Sequence, residues 1–457
     1  MSEQAALNNK YVGYADYKDS RVEELGRLPA TWGVKKVNYL FSFGRGLNIT
    51  KANLEDTGIP VVNYGEVHSK YGFVVDPVIH PLKCVSSEYL KTNPGALLRR
   101  GDFVFADTSE DLEGAGNFTH FDGSCDLFAG YHTVVLRPQH DNLPRFLAYA
   151  FDSLECRSQV KLAVKGVKVF SVTQGILKDV ALPVPPIEEQ RTIAAFLDYE
   201  TARIDSLIDK QQRLIELLKE KRQAVISHAV TKGLNPAAPM KDSGVEWLGQ
   251  VPEHWGVTRA KLVSDIFVPQ RNKPELNDSG VGVNWATMED MKSDNIKATK
   301  RFVSIDAFEA AGSKVLRKGA VVASCVGNFG IASVLDVDVV INQQLQAYIP
   351  KKISAPYLRD LIGCSKVYFD LVGTAATLVY VNQEGFGNLP VPLPPMDEQK
   401  DIEQYTKCKK ELFDKAISKG LRQVALLQER RTALISAAVT GKIDLRGWTP
   451  PVKEDAA

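Results

Sequence analysis

Cysteine is scarce in this chain of 457 residues, and no two cysteines lie close together. No C-x-x-C pair occurs, so neither a disulfide scaffold nor a cysteine-rich zinc site is expected. We predict reduced and mostly buried thiols in a cytoplasmic protein. The six positions are Cys84, Cys125, Cys156, Cys325, Cys364 and Cys408.

Long apolar runs and an excess of one charge are also missing. No stretch approaches the roughly 18 consecutive apolar residues of a membrane helix. The polar stretch Met1–Lys10 lacks the apolar core of a secretory signal, so no membrane association is predicted. The 56 basic and 55 acidic residues leave a net charge of +1. This balance neither supports nor excludes nucleic acid, because binding requires only a local basic surface.

Motifs for nucleotides, metals and methyl transfer are lacking too. There is no phosphate-binding G-x-x-x-x-G-K-[ST] loop, and Gly44-Arg45-Gly46 is only a fragment of a dinucleotide motif. The seven histidines lack metal-ligand spacing, and the Pro-Pro pairs at 185–186 and 394–395 lack the flanking residues of an amino-methyltransferase. We therefore expect no catalytic, cofactor-binding or metal-binding residue. The histidines are His68, His80, His120, His132, His140, His228 and His254.

One acidic patch offers an alternative. Clustered carboxylates hold Mg²⁺ in some nucleases, but a polar loop after a strand has the same composition. The corresponding stretch of the second half, 324–328, has no carboxylate, which favours the loop. The patch consists of Asp102, Asp107, Glu110, Asp111 and Glu113.

The chain contains an internal repeat, and repeats decide the architecture of a fold. Residues 18–34 and 241–257 share 11 of 17 positions, including Trp32 with Trp255. LPVPPIEEQ at 182–190 matches VPLPPMDEQ at 391–399, and residues 217–231 share 10 of 15 positions with 426–440. Between these anchors the two copies diverge. The repeated segments therefore form a common frame, and the divergent regions between them are two different inserts. This arrangement suits a protein that recognises two different targets.

Two long helices are predicted within the frame. Apolar residues follow a seven-residue pattern from about Glu188 to Thr231, and a similar, less regular stripe runs from about Asp397 to Gly441. Neither helix buries its stripe alone, so we expect an antiparallel coiled coil; the alternative is that each helix packs on its own domain. Leu207 and Leu214 are expected to widen the stripe of the first helix, and Leu412 and Leu421 are expected to belong to that of the second. The predicted seam comprises Leu197, Ile204, Ile208, Ile215, Leu218, Val225, Ile417, Val424, Leu427 and Leu434.

The fold class predicted is mixed α/β, with two globular modules, two long helices and a pseudo-two-fold axis. Short apolar runs such as Phe103–Ala106 and Val321–Ser324 are typical of buried strands. The predicted boundaries are 1–24 for an N-terminal segment, 25–185 for the first module, 186–232 for the first helix, 233–247 for a linker, 248–394 for the second module, 395–443 for the second helix and 444–457 for a tail.

Basic and polar residues gather in the predicted loops of both modules. Lys and Arg neutralise phosphates, whereas Asn, Gln and Arg read base edges, although each cluster taken alone is also an ordinary solvated surface. Arg45, Lys165 and Lys168 are the leading candidates in the first module, and Lys292, Lys297 and Asn328 in the second. The other candidates for DNA contact are Lys51, Asn63, Tyr64, Lys70, Lys161, Arg271, Lys273, Asn284, Trp285 and Thr374.

The repeated segments 18–34 and 241–257 are each followed by a variable region, a proline–glutamine motif and a long helix. This order resembles the specificity subunit of Type I restriction–modification enzymes. The resemblance covers essentially the whole chain. It implies that each module is a target recognition domain for one half of a bipartite, asymmetric DNA site. It also implies that the helices fix the spacing between the half-sites, which are separated by several unread bases.

The resemblance also implies partners and their chemistry. Two modification subunits, which bind S-adenosylmethionine and methylate adenine, dock on such a chain. Two restriction subunits, which use ATP and Mg²⁺ to translocate and cut, join later. The specificity subunit itself is then non-catalytic and cytoplasmic, in a bacterium or archaeon. The rival hypotheses are a scaffold or inhibitor without DNA specificity, and a nuclease or methyltransferase that acts alone.

Overall fold

The computed structural model describes residues 11–139, 142–166, 168–374 and 379–451. The chain divides into two compact units. The first unit comprises the residues up to Gln211 together with those from Arg422 onward, and the second comprises Gln212–Leu421. Each unit therefore contains the start of one long helix and the end of the other. These helices run from Ile187 to Lys232 and from Met396 to Val439.

The first unit has a five-stranded sheet that packs on the helix Pro144–Asp152. Phe151 of this helix lies 5.3 Å from Phe103 and 5.1 Å from Phe105, measured between ring centroids. In sheet order the strands are Phe41–Arg45, Thr133–Pro138, Phe103–Ala106, Phe118–Phe121 and Phe73–Val75.

The remaining elements of the first unit are short. The other strands are Tyr17–Asp19, Arg27–Pro29, Gly33–Lys36, Ile59–Val62, Cys84–Val85, Thr108–Ser109, Phe128–Ala129, Phe170–Ser171 and Ala181–Val184. The other helices are Tyr64–Ser69, Tyr89–Thr92, Leu154–Ala163 and Gln174–Asp179, with 3₁₀ turns at Val37–Tyr39, Lys51–Asn53 and Pro94–Ala96.

The second unit repeats this plan. Its five-stranded sheet has the same order and the same single parallel pair at its end, and it packs on the helix Ala355–Cys364. In sheet order the strands are Ser264–Phe267, Leu345–Pro350, Val321–Ser324, Ala332–Leu335 and Asn295–Ile296.

A four-stranded sheet in the second unit replaces a three-stranded sheet in the first. The other strands of the second unit are Met240–Asp242, Gln250–Pro252, Gly256–Arg259, Leu276–Asn277, Val283–Ala286, Arg301–Val303, Val339–Ile341 and Pro390–Leu393. The other helices are Ala260–Val263, Ile305–Ala310, Lys366–Val372 and Gln383–Gly387, with a 3₁₀ turn at Met288–Asp290.

The long helices pair antiparallel, as predicted. In the first unit Arg431 of the second helix donates to Asp205 of the first at 3.0 Å, and Leu434 shares a buried cluster with Leu197. In the second unit Arg222 forms an ion pair with Asp414. In each unit the helices also pack on the module. The two alternatives, pairing with each other and packing on a domain, therefore occur together.

The predicted seam is inside the molecule. Six of its ten side chains are buried and the other four are half-buried. The stripe is narrower than expected, because Leu207, Leu214, Leu412 and Leu421 are all exposed. Two paired helices enclose only the positions that face each other, and residues beside that seam stay outside.

Two of the predicted domain boundaries fall inside β-hairpins. The strand Tyr17–Asp19 pairs with Arg27–Pro29 across the boundary at residue 24, and Met240–Asp242 pairs with Gln250–Pro252 across that at 247. Each segment before a module therefore supplies one strand of a hairpin that belongs to that module.

Within the described ranges, no helix is long and apolar enough to cross a membrane.

Candidate nucleic-acid interface

The repeated tryptophans fasten each module to a long helix. Trp32 is fully buried and donates its indole N–H to Oε2 of Glu189 at 2.9 Å. Trp255, equally buried, donates to Oε2 of Glu398 at 3.0 Å. An indole N–H in the interior needs such an acceptor, and a charged acceptor strengthens the bond. The glutamate of the proline–glutamine motif thus has a structural role.

The glutamine of the same motif closes the turn before the helix. Gln190 donates to the carbonyl of Pro185 at 3.0 Å and accepts from the N–H of Leu143 at 3.0 Å. Gln399 makes the same bonds to Pro394 and Ser354, at 2.9 and 2.8 Å. Because buried backbone groups must be paired, this residue type recurs in both copies. The repeated residues therefore build the frame.

The two copies differ at one end of the five-stranded sheets, where three strands start or stop. In the first unit this end borders an open cleft of about 580 Å³. We call it the first edge; its polar residues are Arg45, Asp107, Thr108, His132, Thr133, Ser171, Thr173 and Gln174.

Charge and backbone conformation mark the first edge. His132 adopts a left-handed conformation with φ +55°, and its Nδ1 lies 3.3 Å from Oδ1 of Asp107. Gln174 donates to the carbonyl of Gly44 at 3.0 Å, which holds the strand end beside Arg45. The Arg45 side chain is exposed and forms no hydrogen bond or ion pair within the described residues.

The equivalent end of the second sheet borders a cleft of about 430 Å³. We call it the second edge; it consists of Asn342, Gln343 and Gln344, before the strand Leu345–Pro350, and Cys325 after the strand Val321–Ser324. Gln343 donates to the carbonyls of Gln270 and Arg271 at 3.2 and 3.4 Å. Burial raises the pKa of the Cys325 thiol to about 12, so these four residues carry no charge at neutral pH. The wall of the cleft is charged, with Glu289 and Asp290 beside Lys300 and Arg301.

Backbone bonds establish that the two edges are equivalent. Asp107 N–H donates to the carbonyl of His132 at 3.1 Å, and Cys325 N–H donates to that of Gln344 at 2.9 Å. Thr133 pairs with Ala106 just as Leu345 pairs with Ser324. His132 therefore corresponds to Gln344 and Asp107 to Cys325. The same backbone positions carry a histidine and a carboxylate in one unit, and an amide and a buried thiol in the other.

Of the predicted DNA contacts in the first module, Arg45 lies at the first edge and Lys165 lies beside it. Lys165 is exposed and forms a backbone bridge with Ser171, and Lys168 is exposed nearby in the chain. Lys161 is 2.5 Å from Glu113, and Lys70 is 3.9 Å from Glu66. Lys51 is exposed on a 3₁₀ turn.

Asn63 and Tyr64 do not join that group. Asn63 is 1% exposed at the start of the helix Tyr64–Ser69, where its N–H donates to Glu66 at 3.1 Å. Tyr64 is half-buried and donates to Glu110. The polar residue after the strand is a helix start, so the prediction of base contact at Asn63 is corrected.

In the second unit the predicted contacts are more dispersed. Lys273 lines the cleft of the second edge, with Arg271 two residues before it. Lys292 lines a separate cleft beside the long helices, and Lys297 is exposed. Asn328 is exposed on the loop whose Gly327 N–H donates to the carbonyl of Val379.

Two further residues of that set are poor candidates. Trp285 is 2% exposed, and Asn284 is half-buried and donates to the carbonyl of Asp338 at 3.0 Å. The Trp285 side chain belongs to a core, so its predicted contact is corrected. Thr374 bridges Tyr380; residues 375–377 of the same predicted loop, and His140, lie outside the described residues.

The acidic patch does not converge. Asp102 is buried and accepts from Arg137 at 2.7 Å, whereas Glu113 pairs with Lys161. Among the described residues, no three carboxylate, histidine or cysteine side chains lie close enough together to hold a metal ion. The patch is better described as a loop with separate structural roles.

The amides of the second edge were missed in the sequence, as was the position of His132. They stand directly before the strands Thr133–Pro138 and Leu345–Pro350. The polar run Asn342-Gln343-Gln344 before an apolar strand was a usable signal. Its importance depended on the pairing of strands far apart in the chain, which the sequence pattern does not supply.

Comparison with known proteins points to one family. The model of the Type I restriction modification DNA specificity domain matches residues 29–217 and 252–407. The chain is 23% identical over 399 residues to the EcoKI specificity subunit of Escherichia coli K12, covering 82% of each. It is 26% identical over 321 residues to the MjaVIII specificity subunit of Methanocaldococcus jannaschii, covering 65% of this chain and 70% of that one.

A solved structure supports the fold. A chain from a study of complex assembly and conformational transition of the type I R-M system superposes with a TM-score of 0.70 and 19% identity, covering 91% of this chain and 99% of that one. The family model matches one copy in each half, on the frame and module described above. The chain therefore belongs to the family of Type I restriction–modification DNA specificity subunits.

Proposed function

We propose that this chain reads a bipartite, asymmetric DNA site for a Type I restriction–modification complex and performs no catalysis itself. One observation carries the proposal: two units share one frame, yet present different chemical groups at equivalent strand ends. A symmetric site would favour identical edges. Two different edges on one frame suit two different half-sites.

The partners follow from this role. Two modification subunits would bring S-adenosylmethionine and methylate adenine, and two restriction subunits would bring ATP- and Mg²⁺-dependent translocation and cleavage. Such a complex would work in the cytoplasm of a bacterium or archaeon. The paired long helices provide a scaffold on which these subunits would assemble.

The test is methylation mapping in cells that express this chain with its cognate modification subunit. Long-read sequencing should reveal methyl-adenine in a two-part motif with a fixed gap, absent when either protein is omitted. A stable complex that creates no methylated motif would contradict the proposal. That outcome would favour the rival hypothesis of a scaffold or inhibitor, whereas methylation by the isolated chain would favour an enzyme that acts alone.

A further inference from the structure

The two edges carry side chains that suit different base pairs. We propose that the second edge reads an A·T pair through Gln344, supported by Asn342, and that the first edge reads a G·C pair through Arg45. This inference rests on the proposed function, and it specifies which groups read which half-site. Both positions border open clefts at the same end of equivalent sheets.

Gln344 has the hydrogen-bonding pattern that adenine requires. Its Oε1 accepts from Nδ2 of Asn342 at 3.2 Å, and its backbone N–H donates to Oδ1 of the same residue at 3.2 Å. Its exposed Nε2 donates to no group among the described residues. An amide thus offers a donor and an acceptor side by side, which matches N7 and N6 of adenine in the major groove.

The second edge is held in place before any DNA arrives. The carbonyl of Gln344 accepts from Cys325 N–H at 2.9 Å, and Gln343 is bonded to the loop at Gln270 and Arg271. Leu345, the next residue, is fully buried in the sheet. A side chain on an anchored backbone loses little further freedom on binding, so specificity is gained at low entropic cost.

Arg45 provides the contrasting group on the first edge. It is the last residue of the strand Phe41–Arg45 and pairs in the backbone ladder with Val134, so its origin is fixed while its guanidinium is exposed. A guanidinium donates two parallel hydrogen bonds to O6 and N7 of guanine, the commonest specific contact in the major groove. Asp107, the carboxylate of the same cleft, lies 3.3 Å from His132 and forms no ion pair with Arg45.

Basic residues flank both edges at positions suited to phosphates. Lys165 bridges Ser171 in the backbone, and Ser171 lines the first cleft. Lys273 lines the second cleft, with Arg271 beside the Gln343 contact. Phosphate contacts position the duplex, whereas base contacts specify it. Each edge therefore combines one candidate reader with nearby cations.

The experiment uses the complete chain in complex with its modification subunit. Initial methylation rates are measured on duplexes that carry single base-pair changes throughout the wild-type motif. Gln344→Ala should lower the preference for one A·T pair in one half-site on the order of 10- to 100-fold. Arg45→Ala should do so for one G·C pair in the other half-site, leaving the preferences in the half-site read by Gln344 unchanged.

Isosteric and matched variants sharpen the result. Gln344→Glu keeps the shape but removes the donor, so it should disfavour adenine even if the alanine variant is unstable; Arg45→Lys should retain part of the guanine preference. Gln250→Ala and Arg99→Ala are the controls, because both side chains are exposed away from the edges and should leave every preference intact.

Two outcomes would overturn the inference while leaving the proposed function in place. Wild-type preferences in both reader variants would remove these residues from base reading. A uniform loss of rate on all duplexes would identify them as phosphate contacts only. Absence of any wild-type bipartite motif would instead refute the proposed function, and this inference with it.

Discussion

At the scale of single residues, a buried histidine of the first unit is replaced by an apolar residue in the second. His120 lies on the strand Phe118–Phe121 and is 3% exposed. Its Nδ1 has no hydrogen-bond partner within the described residues. Burial, helped by the positive charge of Arg145, lowers the pKa of His120 to about 4. The equivalent residue of the second unit is Val334, since His120 pairs with Phe103 as Val334 pairs with Val321.

This difference predicts an acid-sensitive first unit. The unfolded chain binds a proton near pH 6.5, but the folded unit resists it until about pH 4. The contribution of neutral His120 to the free energy of unfolding is therefore fully present above about pH 6.5. It decreases as the pH falls toward 4, by about 2 kcal/mol at pH 5.

Urea unfolding at pH 7 and pH 5 measures the effect. His120→Val should reduce the acid-induced loss by about that amount, whereas His228→Ala, at an exposed helical position, should behave as the wild type. If His120→Val retains the full pH dependence, the titrating group is another residue.

At the scale of elements, the ends of the long helices rest on the repeated tryptophans. The first helix is followed by Gly233 with φ +76°, and the second by Gly441 with φ +67°. A Cβ on Gly233 would lie 3.2 Å from Trp255, and one on Gly441 would lie 3.2 Å from Trp32 and 2.3 Å from Pro29. Glycine follows both helices, because an added Cβ would be crowded at Gly233 and would overlap Pro29 of the hairpin at Gly441.

A substitution at Gly441 separates this collision from backbone strain. Gly441→Ala should destabilise the first unit by about 3 kcal/mol, through the left-handed backbone and the overlap with Pro29. Gly26→Ala is the matched control, since Gly26 has φ +61° and no atom within 4 Å of the added Cβ. It should cost only the strain, about 1 kcal/mol.

Hydrogen exchange resolves the two units in the intact chain. Faster exchange in the strands of the first unit is expected for Gly441→Ala and a much smaller change for Gly26→Ala. Equal effects of both substitutions would mean that the contact of Gly441 with Pro29 is unimportant.

At the scale of the whole molecule, the frame was predictable and the interface largely was not. Trp32, Glu189 and Gln190 recur because each copy must satisfy the same buried groups, so the repeat revealed the two units and the long helices. Gln344 was missed because the second edge arises from the pairing of strands far apart in the chain, whereas Arg45 was already a leading candidate in the sequence. Asn63 shows the converse, since its polar character serves the start of a helix.

Exchange of one module tests whether each of the two modules reads its own half-site independently of the other. Residues 17–184, which keep the N-terminal hairpin and the strand Ala181–Val184 whole, would be replaced by the corresponding module of a relative with a different known half-site. Methylated motifs would be mapped with the same modification subunit. One half of the motif should change while the other half and the gap stay as in the wild type. A change in both halves, or in neither, would contradict it.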